Sequence, residues 1–245
     1  MDYPFQVIGN IRSCFKEKFG IPRQPGLATE ARATLELLPP YDRPEALTGL
    51  EGFSHLWVVF VFHQSLRDDW RPTVRPPRLG GNRRVGVFAS RSPFRPNPIG
   101  LSVVALEDVE SDDRGCRLQL RGADLLDGTP VLDIKPYLPY CDALPDASAG
   151  FAPVPPTAAC VVEFSPRAAE QCAAREAAGT PGLRKLIEQL LELDPRPAYR
   201  SRPSQHEDAD SPRRFGMRLY DFDLRWQVED GRVRVIELRP CPAGV

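Results

Sequence analysis

The feature that most restricts the fold is a run of short strand-like segments through the first 140 residues, with no helix of crossover length between any two of them. Parallel neighbours need a connection of a dozen or more residues, usually helical, so the pattern points to an antiparallel meander or barrel and away from a doubly wound sheet. The segments are Phe5–Arg12, Ala33–Leu38, the β-branched and aromatic run Leu56–Phe62, Val85–Ala89, Leu101–Val109, Cys116–Gly122 and Pro130–Ile134. Cys116, Leu118 and Leu120 share one face, and Asp113-Arg114-Gly115 supplies a hairpin turn ahead of them.

A change of character follows. Residues 142–159 (DALPDASAGFAPVPPTAA) are rich in Pro, Ala and Ser and read as an exposed linker. The expected organisation is a mainly β barrel unit at 1–141, the linker at 142–159, and a small α+β unit at 160–245. In the last, Cys160–Phe164 reads as a strand. Ser165-Pro166 and Thr180-Pro181 each set a capping hydroxyl before a proline that can open a helix. The first helix should stop near Gly179. Leu183, Leu186, Ile187, Leu190 and Leu191 then mark one helical face, which Pro195 ends. Asp230-Gly231 signals a hairpin between Tyr220–Val228 and Arg232–Leu238. A bulge near Leu219 is expected, because Phe215 and Met217 have the opposite parity to Phe222, Leu224 and Trp226.

Several function classes lose support. No segment is long and apolar enough to span a bilayer, and MDYPFQVIGN has neither a basic nor an apolar leader region, so a cytoplasmic protein is expected. Six cysteines without a C-x-x-C pair, and three histidines, argue against a zinc site or a disulfide framework. G-x-G-x-x-G, Walker, H-E-x-x-H and G-x-S-x-G motifs are all missing.

Charge is informative by placement. The net charge is −1, yet from Trp70 to Leu106 there is no acid, while Arg71, Arg75, Arg78, Arg83, Arg84, Arg91 and Arg95 all fall there. Such a local positive field suits phosphate or carboxylate. Within it, Gly86–Leu101 (GVFASRSPFRPNPIGL) interleaves Arg91, Arg95 and Asn97 with Pro93, Pro96 and Pro98. Prolines fix φ and remove backbone donors, so guanidinium groups are presented on a stiff loop outside the sheet. The alternative is a rigid surface loop whose arginines pair with nearby acids. A second stiff loop, Gly20–Gly26 (GIPRQPG), holds Arg23 and Gln24, and His63-Gln64 emerges from the end of the buried strand. His63 alone reads more readily as a structural histidine. The Asp124–Asp127 turn carries acids that either bond their own backbone or accept from a ribose, an amine or a sulfonium.

FxVIGNIRS, KEKFGIPRQPG, LEGFSHLWVVFVFHQ, Gly86–Leu101, LDGTPVLDIKPY and DPRPAYR together resemble the TrmO/TsaA-like family, in its order and over nearly the whole chain. The resemblance implies a small β-barrel that binds S-adenosylmethionine, usually as a homodimer. It implies methylation of the exocyclic nitrogen of threonylcarbamoyl-adenosine beside the anticodon of threonine tRNA. By resemblance, the cofactor pocket includes Pro22, Arg23, Gln24, His63, Gln64, Arg91, Leu101, Asp124, Leu125, Leu126 and Asp127, with no metal.

Methyl transfer is an in-line displacement that depends on alignment and exclusion of water. The substrate nitrogen must lose a proton, for which Asp133 is the first expectation and Asp127 the second. Arg95 or Arg91 is expected on a carboxylate, of the substrate or of the cofactor. Arg71, Arg75, Arg78, Arg83 and Arg84 would grip the RNA backbone, and Tyr199 and Arg200 would reach the anticodon loop. Two readings stand beside this one: a non-catalytic RNA-binding module and an S-adenosylmethionine-binding sensor.

Overall fold

A computed structural model of the chain describes residues 3–156, 158, 160–196, 213–229 and 232–241. The first part runs through β1 (Gly9–Ser13), β2 (Arg32–Leu37), a short α1 (Pro44–Leu47), β3 (His55–Val61), β4 (Thr73–Val74), β5 (Val85–Gly86), β6 (Ile99–Asp112), β7 (Gly115–Arg121), β8 (Pro130–Pro136) and a short α2 (Pro139–Asp142). Six of these strands close a barrel in the order β1-β2-β7-β6-β3-β8, with Gly9 opposite Val131 and Asn10 opposite Pro130 at the seam. Every pairing is antiparallel. The fold is therefore mainly β, as the strand pattern requires.

Period-two alternation puts Ile11, Leu35, Leu56, Val58, Phe60, Leu118, Leu120 and Val131 inside the barrel. Gly100 lies opposite Phe60 across β6 and β3. A Cβ there would stand 2.2 Å from the Phe60 ring, so the barrel closes over that ring only because the position is glycine.

The second part comprises β9 (Val161–Phe164), α3 (Pro166–Ala177), α4 (Leu183–Glu192), β10 (Arg213–Leu219), β11 (Phe222–Glu229) and β12 (Arg232–Pro240). Its sheet has the order β10-β11-β12-β9, with β9 parallel to β12. Leu183, Leu186, Ile187, Leu190 and Leu191 pack onto Met217, Leu219, Phe222, Leu224 and Trp226. Cys14, Phe15, Ala28 and Ala31, from the connection between β1 and β2, are buried in this same second core. The two parts are also stitched through the backbone: Phe15 bridges to Leu219, and Tyr220 N–H donates to the Cys14 carbonyl oxygen at 2.8 Å.

Four local expectations are corrected. The first strand starts at Gly9 and not Phe5, whose side chain is exposed. Only Val85–Gly86 pairs as a strand, and residues 87–89 tighten into a 3-10 turn. Thr180 does not cap α4: the helix opens after Gly182, which takes a left-handed φ of 74° with no side-chain cap. The parity change at Leu219 arises from a two-residue turn at Tyr220-Asp221, with Tyr220 at φ 48°, whereas the bulge lies in β12, where Ile236 is the extra residue opposite Arg225 and Trp226. The Asp230-Gly231 turn lies outside the described residues, although Glu229 and Arg232 pair on either side of it.

Candidate functional site

In an antiparallel barrel of this order, β1, β3 and β7 run in one direction. Their outgoing connections, residues 14–31, 62–98 and 122–129, therefore share one mouth. These are the stretches that hold the two proline-braced loops, the His63-Gln64 pair and the acidic turn.

The Arg91 guanidinium ties the three connections together. It donates to the Gln24 side-chain oxygen, and its charge acts on the Asp124 carboxyl. Around it, Lys18 Nζ donates to the Gln64 carbonyl oxygen, Phe62 N–H to the Pro98 carbonyl oxygen at 2.8 Å, and Gly26 N–H to the Gly122 carbonyl oxygen at 2.9 Å. Asp124 faces the barrel interior, where the buried Ser102 hydroxyl donates to its Oδ1 at 2.6 Å. Burial pushes the Asp124 carboxyl up to about 6, while the Ser102 bond and the Arg91 charge act in the opposite direction.

The remaining sequence-selected residues divide. Pro22 and Arg23 line a cleft of about 410 Å³ with Lys18, Leu190, Asp194 and Arg196, between the first loop and the end of α4. Gln24 Nε2 donates to the Arg23 carbonyl oxygen. His63 is half-buried and Gln64 exposed, in the 3-10 turn that follows β3. Leu101 is exposed opposite Val59 on the outer wall. Leu125 and Leu126 are buried, so their side chains are packing. Asp127 is a turn-bracing residue: its Oδ1 accepts from Ser13 N–H at 2.9 Å and its Oδ2 pairs with Lys16 at 2.9 Å.

Asp133 stands on the outer wall opposite Val59, bound to Ile134 N–H at 3.0 Å and Lys135 at 2.7 Å. Neither partner belongs to the mouth. Arg95 Nη1 donates to the carbonyl oxygens of Ser90 at 2.9 Å and Ser92 at 3.4 Å, bracing its own loop. Arg71, Arg75, Arg78, Arg83 and Arg84 are exposed along residues 71–84, and none is ion-paired with a carboxylate among the described residues. Tyr199 and Arg200 lie outside the described residues. A larger concavity of about 640 Å³, lined by Arg12, Thr34, Gln119 and Tyr220 among others, lies on the barrel wall and includes none of the selected residues.

Sequence reasoning missed Lys16, Lys18 and Ser102. The two lysines had a signal, since only four of the 32 basic residues are lysines. Ser102 had none, being one hydroxyl in an apolar strand.

The family model for the tRNA-methyltransferase O N-terminal domain matches residues 10–143, and that for the TrmO C-terminal domain matches residues 157–241. The chain belongs to the TrmO family. The tRNA (adenine(37)-N6)-methyltransferase of Escherichia coli K12 is 49% identical over 238 residues, covering 97% of this chain and 98% of that one. A Pseudomonas aeruginosa protein, RcsF, described as a candidate S-adenosylmethionine-dependent methyltransferase, is 54% identical over 239 residues, covering 97% and 98%. The crystal structure of TrmO from Pseudomonas aeruginosa aligns with a TM-score of 0.78 at 45% identity, covering 97% of this chain and 98% of that one. Among the described residues no helix is long and apolar enough to cross a membrane, and no group of three or more metal-ligating side chains occurs.

Proposed function

We propose that this chain moves a methyl group from S-adenosylmethionine to the exocyclic N6 of threonylcarbamoyl-adenosine, 3′ of the anticodon in threonine tRNA. Family membership and near-full-length identity to a tRNA (adenine(37)-N6)-methyltransferase support the coarser activity, S-adenosylmethionine-dependent methylation of a tRNA adenine. The finer substrate rests on the chemistry of the mouth.

The observation that carries the reading is Arg91, which joins three loops at one barrel end. The donor set fits the methyl donor: a planar fork for a carboxylate, the Gln24 amide for a base edge, and a half-buried carboxylate for an ammonium or a ribose diol. When bound, S-adenosylmethionine supplies a methyl carbon activated by a sulfonium. Pro22, Arg23, Gln24, Arg91, Leu101, Asp124, the backbone of Leu125 to Asp127, and His63 with Gln64 would hold it.

Arg95 keeps the loop in shape, leaving Arg91 as the guanidinium aimed into the mouth. Asp124, at the barrel mouth beside Arg91, takes the base role that the sequence assigns first to Asp133, which is held on the outer wall by Lys135 and Ile134 N–H. Residues 1–141 would act as the catalytic barrel and residues 160–245 as the appended unit, in a cytoplasmic homodimer.

The test is transfer of a labelled methyl group into threonine tRNA with and without the threonylcarbamoyl group. Label is expected only in the modified tRNA, and Arg91→Lys should lower kcat/KM about 100-fold or more, since a point charge lacks the fork. Equal labelling of both tRNAs would remove the carboxylate-bearing substrate. Cofactor binding without any transfer would favour a sensor, and RNA binding without cofactor binding a passive module.

A further inference from the structure

Residues 62–98, between β3 and β6, form an arm whose composition the methyl-transfer reading does not absorb. It carries eight arginines against two acids, Asp68 and Asp69. Outside the arm, arginines commonly meet carboxylates, as Arg12 with Glu36, Arg32 with Glu107 and Arg117 with Asp112. Arg71, Arg75 and Arg83, by contrast, make no hydrogen bond or ion pair among the described residues.

Among these cations lies exposed aromatic surface. Trp70 is 50% exposed and Phe88 72% exposed, with ring centroids 6.3 Å apart and tilted by 34°. The Arg67 guanidinium sits 3.9 Å from the centroid of Phe94, which is itself exposed. The rings are held in place. Thr73 pairs with Gly86 and Val74 with Val85, Val87 N–H donates to the Pro72 carbonyl oxygen at 2.9 Å, and the buried Val87 anchors the ribbon. Trp70 and Phe88 therefore stand side by side at the foot of a two-stranded ribbon whose outer end carries Arg75, Arg78, Arg83 and Arg84. Phe94 follows Arg91 by three residues in the same connection that carries Trp70 and Phe88.

We propose that Trp70 and Phe88 form a stacking platform for unpaired nucleobases of the RNA, with the arm's arginines holding the phosphates on either side. This rests on tRNA being the substrate, and goes beyond it by naming the side chains that grip the nucleotides flanking the modified base. Charge complementarity selects this occupant over a second copy of the chain. A second copy would bring its own surplus of arginines to this face, with only Asp68 and Asp69 in the arm to offset them. An RNA strand brings a phosphate with every base, and only unpaired bases offer free faces for stacking.

The experiment uses the full-length protein and two RNA probes: an anticodon stem-loop, and the same strand annealed into a duplex. Fluorescence anisotropy should show Trp70→Ala and Phe88→Ala each weakening stem-loop binding about tenfold or more, with Trp70→Phe within about threefold of wild type. Thermal melting and S-adenosylmethionine binding by calorimetry should stay at wild-type values. The logarithmic salt slope should hold in the alanine variants, but fall in Arg71→Ala and Arg84→Ala. Duplex binding should be weaker and insensitive to Trp70. Unchanged stem-loop affinity in both alanine variants would overturn the platform, as would a loss accompanied by a change of sedimenting mass, which would make this face an interface between copies. Should wild type methylate tRNA while the variants bind as tightly as it does, the platform alone fails. Should wild type not bind the stem-loop at all, the substrate reading fails with it.

Discussion

Asp124 and Asp133 show what separates two carboxylates nine residues apart. Asp133 is paired with Lys135 on the outer wall, whereas Asp124 turns into the barrel, where burial raises its pKa to about 6. The unfolded carboxyl titrates near 4, so the raised folded pKa makes the protonated form the more stable one in the native state. Stability from this group is fully present below about pH 4, declines between 4 and 6, and is lost above. Asp124→Asn removes the titration and keeps a partner for the Ser102 hydroxyl. Denaturant melts at a series of pH values should show the variant gaining on wild type from pH 4 to 6 and levelling above, by at most about 3 kcal/mol. A difference that stays flat across that range would mean Asp124 is not buried in solution. In methyl-transfer assays the same variant should lose about 100-fold or more in kcat, while Asp133→Asn should stay within about threefold. Loss in Asp133→Asn with Asp124→Asn near wild type would return the base to the outer wall.

At the scale of elements, the barrel strands were legible because a closed sheet has one dry face. Ile11, Leu35, Leu118 and Leu120 then alternate with polar residues in a way that no other element reproduces, and Leu56 lies in an unbroken apolar run. What was illegible depends on backbone geometry without a residue signature. Val85–Ala89 is apolar enough for a strand, but only Val85–Gly86 pairs, and the chain turns away at Val87. The turn at Tyr220-Asp221 uses a left-handed Tyr220, a position where glycine or asparagine would have signalled it. Gly100 is the reverse case, an unremarked letter with a strict requirement. Since a Cβ would fall 2.2 Å from the Phe60 ring, Gly100→Ala should cost about 1 to 3 kcal/mol in chemical denaturation, and pairing it with Phe60→Leu should recover part of that. No recovery in the double variant would place the strain in the β6 backbone and not in the ring.

For the whole molecule, the Pro- and Ala-rich stretch at 142–159 marks where the sequence changes composition but not where its cores divide. The connection after β1 carries Gln24 to the mouth, yet it is fastened to the second core. Phe19 stacks on Trp226 with centroids 6.1 Å apart, Ile21 packs beside it, Glu30 N–H donates to Gln189 at 3.0 Å, and Gln189 donates to the Thr29 hydroxyl at 2.8 Å. None of this shows in the sequence, because the contacting residues lie more than 150 positions apart and belong to separate patterns. The proposed cofactor loop is therefore held from behind by the second core, and Leu190, Asp194 and Arg196 line the same cleft as Pro22 and Arg23. Trp226→Phe preserves an aromatic face, whereas Trp226→Ala leaves a void under Phe19 and should destabilise the chain by about 3 to 5 kcal/mol. At a temperature where Trp226→Ala is still folded, calorimetry should find its S-adenosylmethionine affinity reduced about tenfold, with Trp226→Phe near wild type. A fragment ending at Cys141 should bind more weakly still, since Phe15, Ala28 and Ala31 would lose their cover. If Trp226→Ala bound the cofactor as tightly as wild type, the loop would hold its shape unaided, and the second core would serve stability alone.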